Sequence, residues 1–343
     1  MTEVIRMSED DGLENERHSY MSMDSPAVQK SLLGLFNKRG YNIQASPRMM
    51  SPARENSSFG STASLSSNSN SVLSFREPIH GQAPIHIAIR RGDIKVLEAL
   101  VRSEETLELD DDHGNTPLHF AVGTSRRISS SVAYHMVSLL LEAGANVHAR
   151  NNKGHTPIIV HMMTMRKDDP TIVKMLLHEG ADVESEIEGE SLLQVAVAQH
   201  MPTVASVLVS YGANINSVNR VGLPLAKVAS ASALTSILSH LTHAQPYISI
   251  AQQHQCMDCG RRLTKRPKMW KWLRFFFKNE ADNCYHCGWL FCSACTSTVP
   301  VRDALPPNFD RQDDKGDYRN KNITCCRMCA NILKERLGKR RHF

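Results

Sequence analysis

The stretch that decides the fold is DDHGNTPLHFA at residues 111–121, because it recurs along the chain. NNKGHTPIIVH at residues 151–161 repeats its turn and its Thr-Pro pair. Shorter copies, APIHIA, SLLQVA and LPLAKV, begin at Ala83, Ser191 and Leu223. The second residues of the five copies are separated by 33, 40, 35 and 32 residues. This period indicates a stacked repeat rather than a single globular core.

Each copy is followed by a second apolar segment, such as MVSLLLEAG at Met136–Gly144. Thr116 and Thr156 can cap a helix, and a proline is tolerated at the next position because its missing N–H is not needed there. The segments end in Gly144, Gly180 and Gly212, where a helix C-terminus favours a left-handed residue. One helix pair cannot bury its apolar face alone, so the units are expected to stack.

The repeats resemble the ankyrin family, over about five units at residues 77–242, the last of them degenerate. The resemblance implies an all-α solenoid that binds a protein partner through hairpin tips and first helices. It also implies that His86 and His119 form hydrogen bonds within their repeats. The second unit has extra residues around Thr124–Val132 and the third around Arg166–Pro170. The fifth unit lacks the closing glycine and is predicted to be a polar-faced cap.

Residues 1–76 are predicted to form a disordered regulatory tail. Residues 46–75 contain 11 serines and few large apolar residues that could offset the entropy of ordering. Ser25, Ser46 and Ser51 each precede proline, which fits either proline-directed phosphorylation or chance. Residues 31–39, SLLGLFNKR, could form a short amphipathic turn or a docking peptide.

Charge and cysteine are concentrated toward the C-terminus. The net charge is +5, and residues 251–343 hold 19 Lys or Arg against 9 Asp or Glu. No apolar run reaches the roughly 18 residues that a membrane-spanning helix needs, and the acidic start does not suit a secretory signal. All 9 cysteines lie between Cys256 and Cys329, which favours local metal binding in a reducing compartment over a disulfide framework.

Eight of these cysteines form four C-x2-C pairs, a pattern typical of structural zinc. Two pairs can complete a tetrahedron of thiolates, so the sequence predicts two closed Zn²⁺ sites. The pairs can be matched in three ways, and the four residues between Cys287 and Cys292 make one of these difficult. The ninth thiol, Cys325, is predicted to be a bystander that could substitute as a ligand. The predicted ligands are Cys256, Cys259, Cys284, Cys287, Cys292, Cys295, Cys326 and Cys329.

The spacing and the segment CYHCGWLFCSAC at residues 284–295 resemble the FYVE family of cross-brace zinc fingers. The resemblance implies a small, zinc-stabilised α+β finger at residues 243–333, followed by a basic C-terminal tail at 334–343. It also implies interleaved sites. One zinc would be bound by Cys256, Cys259, Cys292 and Cys295, and the other by Cys284, Cys287, Cys326 and Cys329. The spacing does not fit a RING ubiquitin-ligase finger.

The chain departs from the family where FYVE domains bind phosphatidylinositol 3-phosphate. The family's basic run is replaced by EADNCY at residues 280–285. Its Trp-x-x-Asp element would fall near Tyr247 and Ile250, and the Arg before its last cysteine pair is replaced by Thr324 and Cys325. Specific binding of that lipid therefore cannot be carried over from the resemblance.

A different basic feature lies between the first two cysteine pairs, at residues 261–280. Cations flanking interfacial aromatic residues suit an anionic membrane surface. The alternative is that Phe275, Phe276 and Phe277 pack inward as core. The predicted lipid or partner contacts are Arg261, Arg262, Lys265, Arg266, Lys268, Trp270, Lys271, Trp272 and Arg274.

The sequence predicts a cytoplasmic, non-enzymatic adaptor that associates peripherally with endosomal membranes. Its predicted partners are a protein, bound by the repeats, and an anionic phospholipid membrane, with no small-molecule substrate. The alternative function is a finger that binds protein, such as a small GTPase, and no lipid. No phosphate-binding loop, nucleophile elbow or kinase signature is present, which argues against an enzyme. No nucleic-acid-reading module accompanies the basic charge.

Overall fold

The structure is a computed structural model of the 343-residue chain. It describes residues 75–123, 128–263, 281–300, 304–306, 309 and 322–340. The predicted disordered tail, with its Ser-Pro sites and docking peptide, lies outside the described residues apart from Phe75 and Arg76. Most of the basic, aromatic insertion also lies outside them.

The repeats fold as pairs of short antiparallel helices. The helices are α1 (Pro84–Arg91), α2 (Ile94–Leu100), α3 (Glu104–Leu107), α4 (Pro117–Val122), α5 (Ser130–Glu142), α6 (Pro157–Thr164), α7 (Thr171–His178), α8 (Leu192–Ala198), α9 (Pro202–Ser210), α10 (Leu225–Val228) and α11 (Ala231–Ser239). The first helices α1, α4, α6 and α8 pack side by side, and the second helices α2, α5, α7, α9 and α11 form a parallel layer. This is the helical solenoid that the repeat predicts.

The local signals behave largely as predicted. Helices α1, α4 and α6 begin at the prolines, and the closing Gly144, Gly180 and Gly212 have φ of 90°, 88° and 103°. Thr116 and Thr156 occupy the N-cap positions, but neither side chain makes the capping hydrogen bond to the backbone. The Thr116 hydroxyl instead contacts Nδ1 of His119, at 2.9 Å.

The turns before the second and third units are stabilised by the same kind of hydrogen bond, in which a side-chain oxygen accepts from backbone N–H groups of the turn. Oδ1 of Asp111 accepts from the backbone N–H groups of His113 and Asn115, at 2.9 and 2.8 Å. Oδ1 of Asn151 accepts from residues two and four positions later in the same way. These Asx turns form the hairpin tips before α4 and α6. In the fourth unit a two-residue turn at Glu188 and Gly189 joins strands β1 (Glu186–Ile187) and β2 (Glu190–Ser191).

His86 and His119 link successive repeats. In each, Nδ1 accepts a backbone N–H three residues earlier, and Nε2 donates to a carbonyl in the next hairpin. The carbonyls are those of Asn115 and His155, at 3.1 and 3.0 Å. The predicted structural role is therefore confirmed, and it extends from within one repeat to the neighbouring one.

Because these imidazoles are buried, we expect the array to lose stability in mild acid. Burial lowers the pKa of His86 from 6.5 to about 4 and lowers that of His119 as well. The unfolded state therefore binds protons first, so the stabilisation is complete above pH 6.5 and is lost as the pH falls toward 4. Urea unfolding at a series of pH values across this window measures the effect. His86→Gln, which does not titrate, should show a shallower pH dependence, and an unchanged slope would contradict the assignment.

The prediction of a polar-faced cap at the fifth unit is wrong. Helix α11 packs against α12 (Arg327–Arg340), the last helix of the cysteine-rich region. Leu234, Ile237 and Leu238 on α11 are buried, whereas Ser232 and Thr235 of the same helix are exposed. The guanidinium of Arg336 donates to the carbonyl of Ser239 across this contact.

The cysteine-rich region pairs β3 (Ala281–Asn283) with β4 (Leu290–Cys292) and β5 (Thr296–Pro300) with β6 (Asn322–Cys326), both antiparallel. Helix α12 continues to Arg340, beyond the predicted start of a basic tail at residue 334. Leu337 packs against the core, which explains the continuation. None of the described helices is long and apolar enough to cross a lipid bilayer.

Candidate metal centres

The first two cysteine pairs lie on turns of the same design. The carbonyl of Cys256 accepts a hydrogen bond from the N–H of Gly260, and the N–H of Cys256 donates to the carbonyl of Arg261. Cys284 makes the equivalent bonds with Gly288 and Trp289. Each turn places a glycine at positive φ, +69° at Gly260 and +77° at Gly288, after the second cysteine. The x2 spacing therefore produces two tight turns, or knuckles. In each knuckle the two cysteine thiols can bind the same metal ion.

The other two pairs are placed by different elements. Cys292 ends strand β4, and a 3-10 turn at Ser293–Cys295 brings Cys295 beside it. Cys326 ends strand β6, and Cys329 lies in the first turn of α12. The backbone N–H of Cys329 donates to Sγ of Cys326, at 3.4 Å.

The structure brings the four pairs together as two sets of four thiols. Within each set, all Sγ atoms lie within 4.8 Å of one another. One set is Cys256, Cys259, Cys292 and Cys295, and the other is Cys284, Cys287, Cys326 and Cys329. These are the interleaved sets that the cross-brace resemblance implies, and each could hold a metal ion.

The two sets differ in exposure. All four cysteines of the second set are buried, whereas Cys259 of the first set is exposed. A backbone hydrogen bond at Arg261 lowers the pKa of Cys259 to about 7. Arg327 donates to the carbonyl of Ala294 at 3.0 Å and lies 3.8 Å from a carboxylate oxygen of Asp258, tying α12 to this first set.

Two further buried groups border the second set. Nδ1 of His286 lies 3.4 Å from Sγ of Cys329, and its ring stacks on Phe309. A hydrogen-bond donor directed at a ligand sulfur orients the ligand and tunes the site. Cys325 belongs to neither set, and a hydrogen bond to Cys284 together with burial raises its pKa. Its predicted role as a bystander fits this position.

Only two of the predicted lipid or partner contacts lie among the described residues. Arg261 and Arg262 follow the first knuckle and are exposed. The remaining seven lie in residues 264–280, outside the described part of the chain, as do the phenylalanines proposed as alternative core. These are Lys265, Arg266, Lys268, Trp270, Lys271, Trp272 and Arg274.

Residues 281–285, where the FYVE resemblance leads one to expect a basic run, have a structural role in this chain. The Asn283 amide donates to the carbonyls of Ile248 and Gly288, both at 2.9 Å. The carbonyl of Thr324 accepts from Tyr285 N–H, and Cys325 is fully buried. These positions therefore hold the finger and its linker together.

Sequence reasoning missed the contact between the second knuckle and the last repeat. The indole N–H of Trp289, which is buried, donates to Oδ1 of Asn216 at 2.9 Å. The amide of Asn216 donates to Pro246, and Oε1 of Gln245 accepts from Ile215 N–H. A buried Trp seeks a partner for its N–H, so the Cys-Gly-Trp sequence carried a signal, but not the identity of the partner.

The comparisons with known proteins support the array. A family model described as ankyrin repeats (3 copies) matches residues 62–151 and 127–219. The chain therefore contains ankyrin repeats, which supports protein–protein interaction. The matched residues end before the two helices of the fifth unit, α10 and α11, which the structure places in the same stack.

Similar curated proteins match the array over part of their length. The E3 ubiquitin-protein ligase KEG of Arabidopsis thaliana is 31% identical over 134 residues, 38% of this chain and 8% of that protein. The nuclear factor NF-kappa-B p105 subunit of Gallus gallus is 28% identical over 178 residues, 43% of this chain and 18% of that protein. The chain thus spans less than a fifth of either relative.

A solved structure also matches the array. The ankyrin repeat domain of Bcl-3, described as a unique member of the IkappaB protein family, shares 29% sequence identity with this chain. The match covers 47% of this chain and 68% of that one, with a TM-score of 0.39.

Proposed function

We propose that this chain is a non-enzymatic, zinc-binding adaptor whose ankyrin array recruits a protein to an anionic membrane. The observation that carries the proposal is the pair of interleaved four-thiol sets, in a region whose last helix, α12, packs against the array. Four thiolates fill a tetrahedral Zn²⁺ site, so such a site stabilises the fold and offers no position for a reacting water.

Zinc fits these donors better than other common metals. Soft thiolates disfavour Mg²⁺ and Ca²⁺, which prefer oxygen ligands, and a tetrahedral set of four sulfurs is typical of zinc or iron–sulfur sites. Two separate sets of four Cys, each built from two C-x2-C pairs, therefore support two structural Zn²⁺ ions. The interleaving and the C-x2-C-G knuckles support a FYVE-like finger.

The proposed membrane binding rests on the positive charge and the aromatic residues of the C-terminal part of the chain. The C-terminal part of the chain is basic, and the exposed Arg261 and Arg262 lead into the segment that contains Trp270 and Trp272. Aromatic rings at the interface and flanking cations together stabilise binding to anionic lipid, with each cation contributing about 1 kcal/mol near the surface. The proposed location is cytoplasmic, with peripheral association on endosomal membranes.

We expect Trp270→Ala with Trp272→Ala to reduce sedimentation with phosphatidylserine-rich vesicles about tenfold, because two interfacial anchors are lost. The zinc-loaded full chain is sedimented with neutral, phosphatidylserine-rich and phosphatidylinositol 3-phosphate-doped vesicles, each at low and high salt. Tyr211→Ala, which removes a 40% exposed aromatic residue of the array, is the control and should bind normally. Unchanged binding by the double variant would contradict the membrane anchor.

The same vesicle experiment distinguishes membrane binding from the alternative function, in which the finger binds a protein and no lipid. Binding that requires the phosphoinositide would mean that the headgroup site is built from residues other than the family's. A failure to bind any vesicle would favour the finger as a protein-interaction module. A pull-down with small GTPases then tests that function directly.

For the array, the hairpin tips are the proposed protein-binding surface. Val221 is 79% exposed at the tip of the fifth unit, between Val218 at 52% and Leu223 at 41%. Exposed apolar residues grouped in this way are typical of interaction sites. Val221→Asp should weaken capture of the array's partner without affecting folding, since the side chain is free in solvent.

A further inference from the structure

Helix α1 is buried on every side, although it is the first of the described helices. All six residues 84–89 are buried, and Ile85, Ile87 and Ile89 are 1%, 4% and 1% exposed. Because an α-helix has 3.6 residues per turn, six consecutive buried residues cover its whole circumference. Among the described helices, α1 packs mainly against α2 and α4, which lie on two of its sides. Other residues must therefore cover the rest of α1.

The equivalent position in the internal units is less buried. Ile87 is the fourth residue of α1, and the fourth residues of α4, α6 and α8 are only partly buried. These are Phe120, Val160 and Val195. At the other end of the stack, Leu225 is the only buried residue of the short helix α10. Each internal first helix has a repeat on both sides, so Ile87 would be the most exposed residue of this row if nothing further covered α1.

The described neighbours of α1 account for part of its burial. The ring of Phe120 lies against that of His86 on the side of the second unit, with centroids 4.7 Å apart. The turn at residues 77–82 belongs to the row of hairpin tips, since the His80 carbonyl accepts from the N–H of Asp112. The side of α1 away from α4 is where the chain enters at Phe75, which packs against the core. We therefore expect the remaining cover to come from residues 1–74, outside the described part of the chain.

One segment of the tail has the composition of a covering element. Five of the nine residues 28–36 are large and apolar. Val28, Leu32 and Leu35 recur at a spacing of four and three residues, which places them on one face of a helix. Near Phe75 the tail is dominated by serine and asparagine, with Val72 and Leu73 as its closest large apolar residues.

The same segment has helix start and stop signals. Ser25 precedes Pro26, a pair that suits an N-cap followed by the first helical position. Arg39 is followed by Gly40, the residue type favoured just after a helix. A helix over residues 26–39 would be marginal in water by itself, so it needs an apolar surface to pack against.

The connection from this segment to the array is long enough to reach α1. Residues 41–74 join Gly40 to Phe75 and are rich in serine. A flexible chain of this length spans roughly 30 Å on average. A segment ending at Gly40 can therefore lie beside α1 without strain in the connection.

We infer that residues 26–39 fold as an amphipathic helix against the side of α1 that faces away from α4. The segment orders when it docks, and its apolar face covers Ile87 and the rest of the outer side of α1. It closes the N-terminal end of the array, whereas at the other end α11 packs against α12. The inference is independent of the proposed membrane and partner binding.

The first test is hydrogen exchange of the zinc-loaded full chain. Leu32→Asp with Leu35→Asp places charge on the docking face, so the amides of α1 should exchange about tenfold faster, whereas those of α8 and α9 should not change. The matched control, Ile43→Asp with Leu65→Asp, changes two apolar tail residues outside the segment and should leave α1 protected. Unchanged exchange of α1 in the Leu32 and Leu35 variant would overturn the inference.

A further variant tests the competing cover next to Phe75. Val72→Asp with Leu73→Asp changes the closest large apolar residues of the tail. If this variant loses the protection of α1 and the Leu32 and Leu35 variant keeps it, the cover belongs to the residues adjoining Phe75 and the inference fails.

Crosslinking locates the segment on the array. Lys30 and Lys38 flank its apolar core, and Lys95 is exposed at the start of α2. An amine-reactive crosslinker applied to the monomeric full chain should join Lys30 or Lys38 mainly to Lys95, and the Leu32→Asp, Leu35→Asp change should remove these links. Crosslinks that favour Lys167 or Lys227 instead would place the segment on another part of the array and would contradict the docking on α1.

Discussion

Cys329→Ser is expected to unfold the cysteine-rich region while leaving most of the array folded. Cys329 is one of four buried thiols in the second set, and loss of one ligand opens the site. The described strands of this region are short, and in zinc-finger peptides metal binding supplies about 10–16 kcal/mol of the folding free energy. Hydrogen exchange followed by mass spectrometry should show lost protection across β3–β6 and α12.

The same experiment should show which helices of the array also lose protection from hydrogen exchange. Helix α11 packs against α12, so it should also lose protection, whereas α1 and α4 contact only their own neighbours and should keep theirs. Cys325→Ala removes a buried thiol outside both sets and is the matched control, with both metals retained. A Cys325 variant that loses metal while Cys329→Ser keeps it would show that the ligand sets are wrong.

Gly288→Ala is expected to destabilise the junction between finger and array by about 3 kcal/mol or more. Gly288 has φ of +77°, where a side chain is disfavoured by about 1–2 kcal/mol. An added Cβ would also lie 2.4 Å from the carbonyl oxygen of Pro246, so the backbone of the linker would have to move. The change in free energy of unfolding is measured by urea titration, with the finger zinc-loaded.

Gly260→Ala separates the two causes. Gly260 occupies the same knuckle position in the first pair, with φ of +69°, but nothing lies within 4 Å of its added Cβ. This variant should therefore lose only the conformational part, about 1–2 kcal/mol. Equal losses in the two variants would mean that the second knuckle does not pack against the linker.

The array could be predicted from sequence because its signals are local and repeated. Pro84, Pro117 and Pro157 each mark a helix start, and the closing glycines mark helix ends. These signals depend on backbone geometry within a few residues, so they can be read from the sequence without knowledge of the tertiary fold. The insertion around Arg166–Pro170 was also visible as a change in the spacing of the repeats.

The pairing of cysteines needed more than spacing. The residues alone left three matchings open, and only the family resemblance selected the interleaved one that the structure has. The interleaving depends on the pairing of strand β5 with β6, which brings Cys326 beside Thr296, about 30 residues earlier in the sequence. Short strands carry weak sequence signals, so this pairing was not predictable from pattern.

The end of the array was mispredicted for a related reason. The fifth unit is degenerate, and in a repeat protein a degenerate last unit is often a solvent-facing cap. Here Trp289, Gln245 and Arg336 meet residues of the last repeat, so the finger covers it. Contacts between domains are set by surface shape and by single hydrogen bonds, neither of which has a period in the sequence.

The most direct test of the account is the metal content and coordination of the purified full chain. Elemental analysis combined with zinc X-ray absorption should find two Zn²⁺ per chain, each with four sulfur neighbours at about 2.3 Å. That result would establish two closed structural sites. A single zinc per chain, or a shell with nitrogen or oxygen ligands, would contradict the two sets of four thiols on which the proposed adaptor depends.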